Sequence, residues 1–358
     1  MRLNRALVAR NLARLLRLGP ADLESQAIER HELCPAEDYQ APAALYPPGA
    51  VERVRGLSPW RDWDTERALI EGRGGRHAPT EALILPDVTL AGAFLYRAGA
   101  KHRVGHGTAR MLDPELPAGR MLPEAHLVAT WTGADFFGNF MQDSLPLEML
   151  PPPGALRIGA PVKPYTHDLG YRDLLELPRP DMPGHARVRR LVLYRDFAQN
   201  SLKAARYREL RQRLRAHLGG SAGPGELPKA PALGIFLRRG QDGEPRALLN
   251  EHELAEMLAG LGFDIIDPSR TDAVEIARRA LDARIVVAVE GSHLAHAIYA
   301  LAEGGAFLVI QPPDRFALPY KEFADRMAMP FGFVVGLPAE GGFVADLDEI
   351  RLMLDRLL

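Results

Sequence analysis

From residue 233 onward the chain alternates short apolar runs with segments of helical spacing, and nothing else in it narrows the possible folds so far. The runs LGIFL, FDII, IVVAV and AFLVI are rich in β-branched and aromatic residues. Between them lie stretches around 251–260, 271–281 and 293–301 whose apolar residues recur every three or four positions. Strands alternating with helices of that length predict an α/β domain with a doubly wound parallel sheet. Two further short strands are expected at FGFVVG, and a last helix over 346–358 with Asp346 as its cap.

The centre of the alternation is ARIVVAVEGSHLAHAIYAL, 283–301. An unbroken apolar run from Ile285 to Val289 suits a strand buried on both faces. It leaves through Glu290-Gly291-Ser292 into a pattern (Leu294, Ala297, Ile298, Leu301) that predicts a helix. Two readings stay open here. One is an ordinary strand–turn–helix unit with Ser292 as a cap. The other is an anion site, with the helix N-terminus holding a phosphate and Glu290, at the strand's carboxyl end, accepting hydrogen bonds from a ribose.

Arg238-Arg239 ends the preceding strand, and Arg246 and Asn250-Glu251 follow a turn. Guanidinium groups at a strand's carboxyl edge suit bidentate binding of a diphosphate. Asn250 either caps the next helix or reaches the ligand. Further back, GNFMQDSLP (138–146) sits in a helix expected over 138–149 and stopped by Pro151-Pro152-Pro153-Gly154. Asn139 and Asp143, four apart, share one face of that helix, which fits either an ordinary surface carboxylate or a general base with an adjacent amide. His293 and His296 lie three apart, so one of them can face the crevice. His102 and His106 have a spacing compatible with a metal, but the residues between them favour a strand or turn. Asp62-Trp63-Asp64 reads as a loop or cap, because no apolar strand precedes it.

Other classes lose support. There is no GxxxxGK[ST], GxGxxG, HExxH or GxSxG in the chain. A net charge of -2 provides no basic field for nucleic acid. The single cysteine, Cys34, cannot form an intramolecular disulfide or a Cys-cluster zinc site, which fits a reducing, cytoplasmic compartment. No apolar run approaches the roughly 18 residues needed to span a bilayer. The 358 residues suffice for two domains, and Gly219-Gly220-Ser221-Ala222-Gly223-Pro224-Gly225 is the clearest linker signal. The expected organisation is 1–79, a basic helix and irregular extension; 80–218, an α/β domain; 219–230, a linker; 231–340, the alternating domain; and 341–358, a final helix. The opening helix interleaves Arg2, Arg5, Arg10, Arg14 and Arg17 with leucines. It either docks on its own protein or lies peripherally on an anionic membrane.

These segments resemble glycosyltransferase family 61, the group that includes capsular-polysaccharide enzymes. The resemblance rests on Arg238-Arg239, then Arg246, Asn250, Glu251 and Leu254, then GFDIIDP (262–268), then VEGSHLAH (289–296), and on GNFMQDSLP for an earlier family segment. It covers roughly residues 80–335. Glu290, His296 and Asn139 stand where the family usually carries His, Asn and His. The resemblance implies a GT-B architecture, two Rossmann-like domains facing across a cleft, with a final helix crossing back to the first. It implies inverting sugar transfer from a nucleoside-diphosphate sugar to a glycan or lipid-linked acceptor, with no cofactor and no obligatory metal. Asp143 would then be the base and Asn139 an acceptor-side residue. Arg238, Arg239, Asn250, Glu290, Gly291, Ser292, His293 and His296 would surround the donor. The alternative is a catalytically inactive scaffold or nucleotide-sugar-binding protein of the same fold.

Overall fold

The structure is a computed structural model that describes residues 2–18, 22–219, 232–239 and 247–358. The expected linker lies outside the described residues except for Gly219, and so does Arg246. The chain forms two compact units. Unit 1 comprises Met1–Glu37, Ala78–Thr166 and Leu177–Arg206; unit 2 comprises Asp38–His77, His167–Glu176 and Tyr207–Leu358.

Unit 2 carries the predicted parallel sheet. Its strands are Gly234–Leu237, Phe263–Ile266, Ile285–Val289, Ala306–Gln311 and Phe331–Val335. All neighbours pair in parallel. Numbered in chain order the strands lie 2-1-3-4-5, an order that reverses direction between the first and third strands. Every residue of Ile285–Val289 and of Ala306–Gln311 is buried, because helices cover both faces of such a sheet and apolar runs stay continuous. The helix Glu251–Gly260 covers one face with Leu254, Ala255 and Leu258. Asp272 caps the helix Ala273–Ala280 by accepting from the Glu275 N–H.

The final helix, Leu347–Leu357, is capped by Asp346, which accepts from the backbone of Asp348 and Glu349. Its course differs from the one the resemblance implied. Ile350, Met353 and Leu354, at helical spacing, are buried in the core of unit 2, so the helix closes its own domain.

Unit 1 is α/β but not Rossmann-like, since its sheet is mixed. Strands Arg157–Ile158, Arg120–Leu127, His185–Arg195, Thr80–Ala91, Phe94–Arg97 and Ala100–Arg103 lie in that order, and Glu29–Cys34 also pairs with Thr80–Ala91. The first three are mutually parallel; the rest pair antiparallel. Pro86-Asp87 reads as a turn signal, yet one strand of twelve residues runs through it. Asp87 absorbs the strain with φ 51°. On that edge Glu29–Cys34 partners the strand as far as Ile84, and Phe94–Arg97 takes over at Thr89. Pro86 falls in the gap, where a missing N–H costs no ladder bond.

The stretch before residue 80 is also more ordered than expected. Glu29–Cys34 joins the unit 1 sheet, and Trp63–Glu71 is a helix whose cap is Asp62, bonded to the Thr65 N–H.

Candidate active site

In unit 2 the predicted residues gather where the strand order reverses. Arg238-Arg239 follows the first strand and Glu290-Gly291 the third, and these strands are neighbours. Arg239 Nη1 donates to the Glu290 carbonyl at 3.2 Å, which ties the two carboxyl ends together. Open α/β sheets place ligands in the crevice at this point of reversal. Glu290 is only 7% exposed. Gly291 adopts φ 155° and ψ 171°, a region essentially confined to glycine, so no other residue turns the chain here without strain.

A residue that sequence reasoning left without a role organises the arginines. Glu251 Oε1 accepts from the Arg239 N–H at 2.9 Å, and Oε2 from Arg238 Nε at 3.2 Å. The carboxylate holds the end of the strand in place, and Arg238 acts as its ion partner. Asn250 neither caps by its side chain nor points to the crevice. Its amide makes a two-way clamp on Ala345, donating to the carbonyl at 2.9 Å and accepting from the N–H at 3.0 Å. A second missed residue is Glu66, wholly buried, which accepts from the Leu318 N–H at 2.9 Å and pairs with Arg61. Burial pushes its carboxyl upward, and the negative charge of Glu290 adds to the rise.

The helix expected after Glu290 is not α. Ser292–His296 is a five-residue 3-10 segment that passes into turns. The turns that follow it are held from the helix Ser201–Gly219. Arg211 donates to the carbonyls of Ile298, Leu301 and Ala302 at 2.8, 2.6 and 3.2 Å. Arg215 donates to those of Tyr299, Ala300 and Leu301 at 3.2, 3.3 and 2.6 Å. Carbonyls satisfied by two guanidinium groups need no helical partner. Burial, with the neighbouring charge of Arg215, lowers the Arg211 pKa to about 10, so it stays charged at neutral pH. A segment this short has little macrodipole. Any anion held here therefore depends on arginines and individual N–H groups.

The two histidines separate. His296 is 3% exposed, its Nδ1 2.7 Å from the Tyr171 hydroxyl and its ring edge-on to His167. Burial, reinforced by His167 and His293, drives its pKa well below the usual imidazole value. A neutral, buried ring cannot pair by charge with a phosphate, so His296 is a core residue that braces the segment. His293 is half-buried on the same segment. The Ser292 carbonyl accepts from the Tyr320 hydroxyl at 3.3 Å.

In unit 1 the expected single helix over 138–149 is broken into Phe137–Asn139, a π-helical turn Phe140–Ser144, and Leu145–Leu147. Single π turns inside helices concentrate at functional sites. This one carries Asp143. Asn139 Nδ2 donates to Asp143 Oδ2 at 2.9 Å, as the four-residue spacing predicts. Lys203 Nζ, fully buried, donates to Oδ1 at 3.0 Å. An ionised carboxylate has about four lone-pair sites, so two donors orient Asp143 and leave capacity to accept from a substrate hydroxyl. Lys203 was missed because sixty residues separate it from Asp143 in a helix otherwise rich in arginine.

The surroundings fix that geometry. Asn200 caps the Lys203 turn, accepting its N–H at 3.1 Å, and donates to Thr80 Oγ1 at 2.7 Å. Thr80 donates to Asp196, whose two oxygens grip Arg206 at 2.7 and 2.8 Å. Arg206 also donates to the Pro146 carbonyl at 2.9 Å, just past the π turn. Gly133 is forced by contact: a Cβ there would lie 2.0 Å from Ser144 Oγ. His106 Nδ1 lies 2.7 Å from Asp135. Among the described residues no group of three His, Cys, Asp or Glu side chains has the arrangement of a metal site.

Comparison with known proteins agrees with these motifs. No curated protein matches the chain. Residues 137–307, which include Asp143, Lys203, the arginine pair and Glu290, match the Glycosyltransferase 61 family. Over those residues the chain is similar to glycosyltransferase family 61.

Proposed function

We propose that this protein is an inverting glycosyltransferase that moves a sugar from a nucleoside-diphosphate donor to a glycan acceptor of a surface or capsular polysaccharide. The observation that carries the reading is the meeting of Arg239 and Glu290 at the reversal point of the 2-1-3-4-5 sheet, inside the family match. On this reading unit 2 binds the donor, and unit 1 carries the base and the acceptor-side residue.

The acceptor hydroxyl oxygen attacks the anomeric carbon while the bond from that carbon to the diphosphate oxygen breaks. Asp143 takes the hydroxyl proton, and its bonds to Asn139 and Lys203 keep the accepting oxygen aimed. The electron pair leaves with the nucleoside diphosphate. Arg239, Arg238 and the N–H groups around Gly291–Ser292 offset its growing charge, a task they can perform without a divalent ion. Glu290 accepts from the ribose hydroxyls, and His293 lies beside the diphosphate.

Thermal shift against a panel of nucleoside diphosphates tests the donor site first. Binding to the folded state alone stabilises by about 2.7 kcal/mol at a hundredfold excess over Kd. A shift with one diphosphate family, lost in Arg239→Ala, supports the reading. No shift with any of them favours the inactive-scaffold alternative.

A further inference from the structure

We infer that the helix Arg5–Leu15 is a docking element for the surface of an anionic phospholipid bilayer. Its contacts leave it with two apolar sides, only one of them used. Leu7 is buried with Ala91, Phe94, Tyr96 and Leu116, and Ala6 packs beside it. Asn4 caps the helix, accepting from the Leu7 N–H at 3.0 Å, and its own N–H donates to the Met111 carbonyl at 2.8 Å. Ala6, Leu7, Arg10 and Ala13 are the residues turned inward.

The opposite side carries Val8, Leu12, Leu15 and Leu16, spaced by four, three and one. On a helix these form one stripe away from Leu7. Leu12 is 55%, Leu15 80% and Leu16 56% exposed, and Leu18 just beyond the helix is 57% exposed. The strand that pairs Leu3 with Leu112 brings two more bare side chains alongside, Met111 and Leu112. Isolated exposed leucines are ordinary, but a stripe continued by neighbouring residues marks an interaction surface.

Charge selects the partner. Arg2, Arg5, Arg14 and Arg17 are exposed, and no carboxylate lies between residues 2 and 18. The adjoining segment adds Arg110 against Asp113 and Glu115. A leucine stripe rimmed by arginine is what an interfacial helix presents to headgroups, with apolar side chains reaching the acyl boundary and guanidinium groups meeting lipid phosphates. A second copy of the chain would bring its own arginines against these. No helix among the described residues is long and apolar enough to cross a membrane, so the contact is a surface one.

The test is co-flotation of the full chain with vesicles of phosphatidylglycerol and phosphatidylcholine in equal parts, beside vesicles of phosphatidylcholine alone. Binding to the first only, weakened by high salt, is expected. Arg5→Glu/Arg14→Glu/Arg17→Glu should lower the partition by at least on the order of a hundredfold, from about fivefold per basic residue near such a surface. Leu12→Glu/Leu15→Glu should abolish binding; both sets lie on exposed positions, and an unchanged melting temperature confirms that they fold. Failure of the wild type to float, or flotation indifferent to both sets, would overturn the inference. So would a wild-type dimer in light scattering that Leu12→Glu/Leu15→Glu makes monomeric, since the stripe would then cover a second copy. Nucleotide binding is unaffected in either event, so the donor-site reading stands or falls separately.

Discussion

Lys203 Nζ lies 3.0 Å from Asp143 Oδ1, and the lysine side chain has no exposed surface at all. A buried ammonium and a nearly buried carboxylate hold each other, so neither can be changed alone without leaving a charge stranded. Lys203→Met or Asp143→Asn should each destabilise unit 1 by about 3–5 kcal/mol. The double variant should lose less than the sum of the two, by a coupling energy of about 0.5–3 kcal/mol. Urea unfolding of the four proteins measures the cycle. Additive losses would mean that the pair does not act as a unit.

Arg239→Ala should preserve the fold, because the bond that Glu251 makes here is to the Arg239 backbone N–H and survives truncation. It should lower turnover by about 2.7–4 kcal/mol in the barrier, the usual effect of removing one group that stabilises developing negative charge. Steady-state kinetics with a matched circular dichroism spectrum checks this. Unchanged turnover would remove Arg239 from the leaving-group role.

Acid sensitivity follows from His296. Burial holds its folded pKa well below the ordinary 6.5, so the unfolded chain takes up a proton that the folded one refuses. Stability should therefore be complete above about pH 7 and fall as the pH drops below 6.5, by up to about 1.4 kcal/mol per pH unit. His102 and His126, also lowered by burial, add to the same slope. His296→Gln keeps a polar partner for Tyr171 and should flatten the slope by one proton. Denaturation midpoints between pH 7.5 and 5 decide it, and an identical slope in the variant would refute the assignment.

Arg211→Met should loosen the turns after the 3-10 segment. The Ile298 and Ala302 carbonyls lose the donor seen here, while Arg215 still serves Leu301. Each acceptor stranded in the interior costs about 1–3 kcal/mol. Faster amide exchange over 297–302, with a lower urea midpoint, is the expected result. Unaltered protection would show that the turns hold without the guanidinium.

The reach of the sequence was set by how local each cause is. Continuous apolar runs gave the parallel strands of unit 2, because burial on both faces leaves that mark in any few consecutive residues. Spacing alone placed Asn139 beside Asp143, and Asp62 and Asp346 are caps whose partners lie two or three residues away. The leucines and arginines of the first helix were equally plain, although not which side would dock.

What the tertiary structure decided is where distant groups meet. The carbonyls of the turns after His296 are satisfied by Arg211 and Arg215, more than eighty residues away in the chain. His296 reads as a candidate ligand until Tyr171 and His167 enclose it and remove its charge. The mixed sheet of unit 1 follows from pairings between residues about a hundred apart, whose alternating pattern fits either strand direction. Lys203 has no local signature, since a buried charge is recognisable only by the partner that makes its burial tolerable.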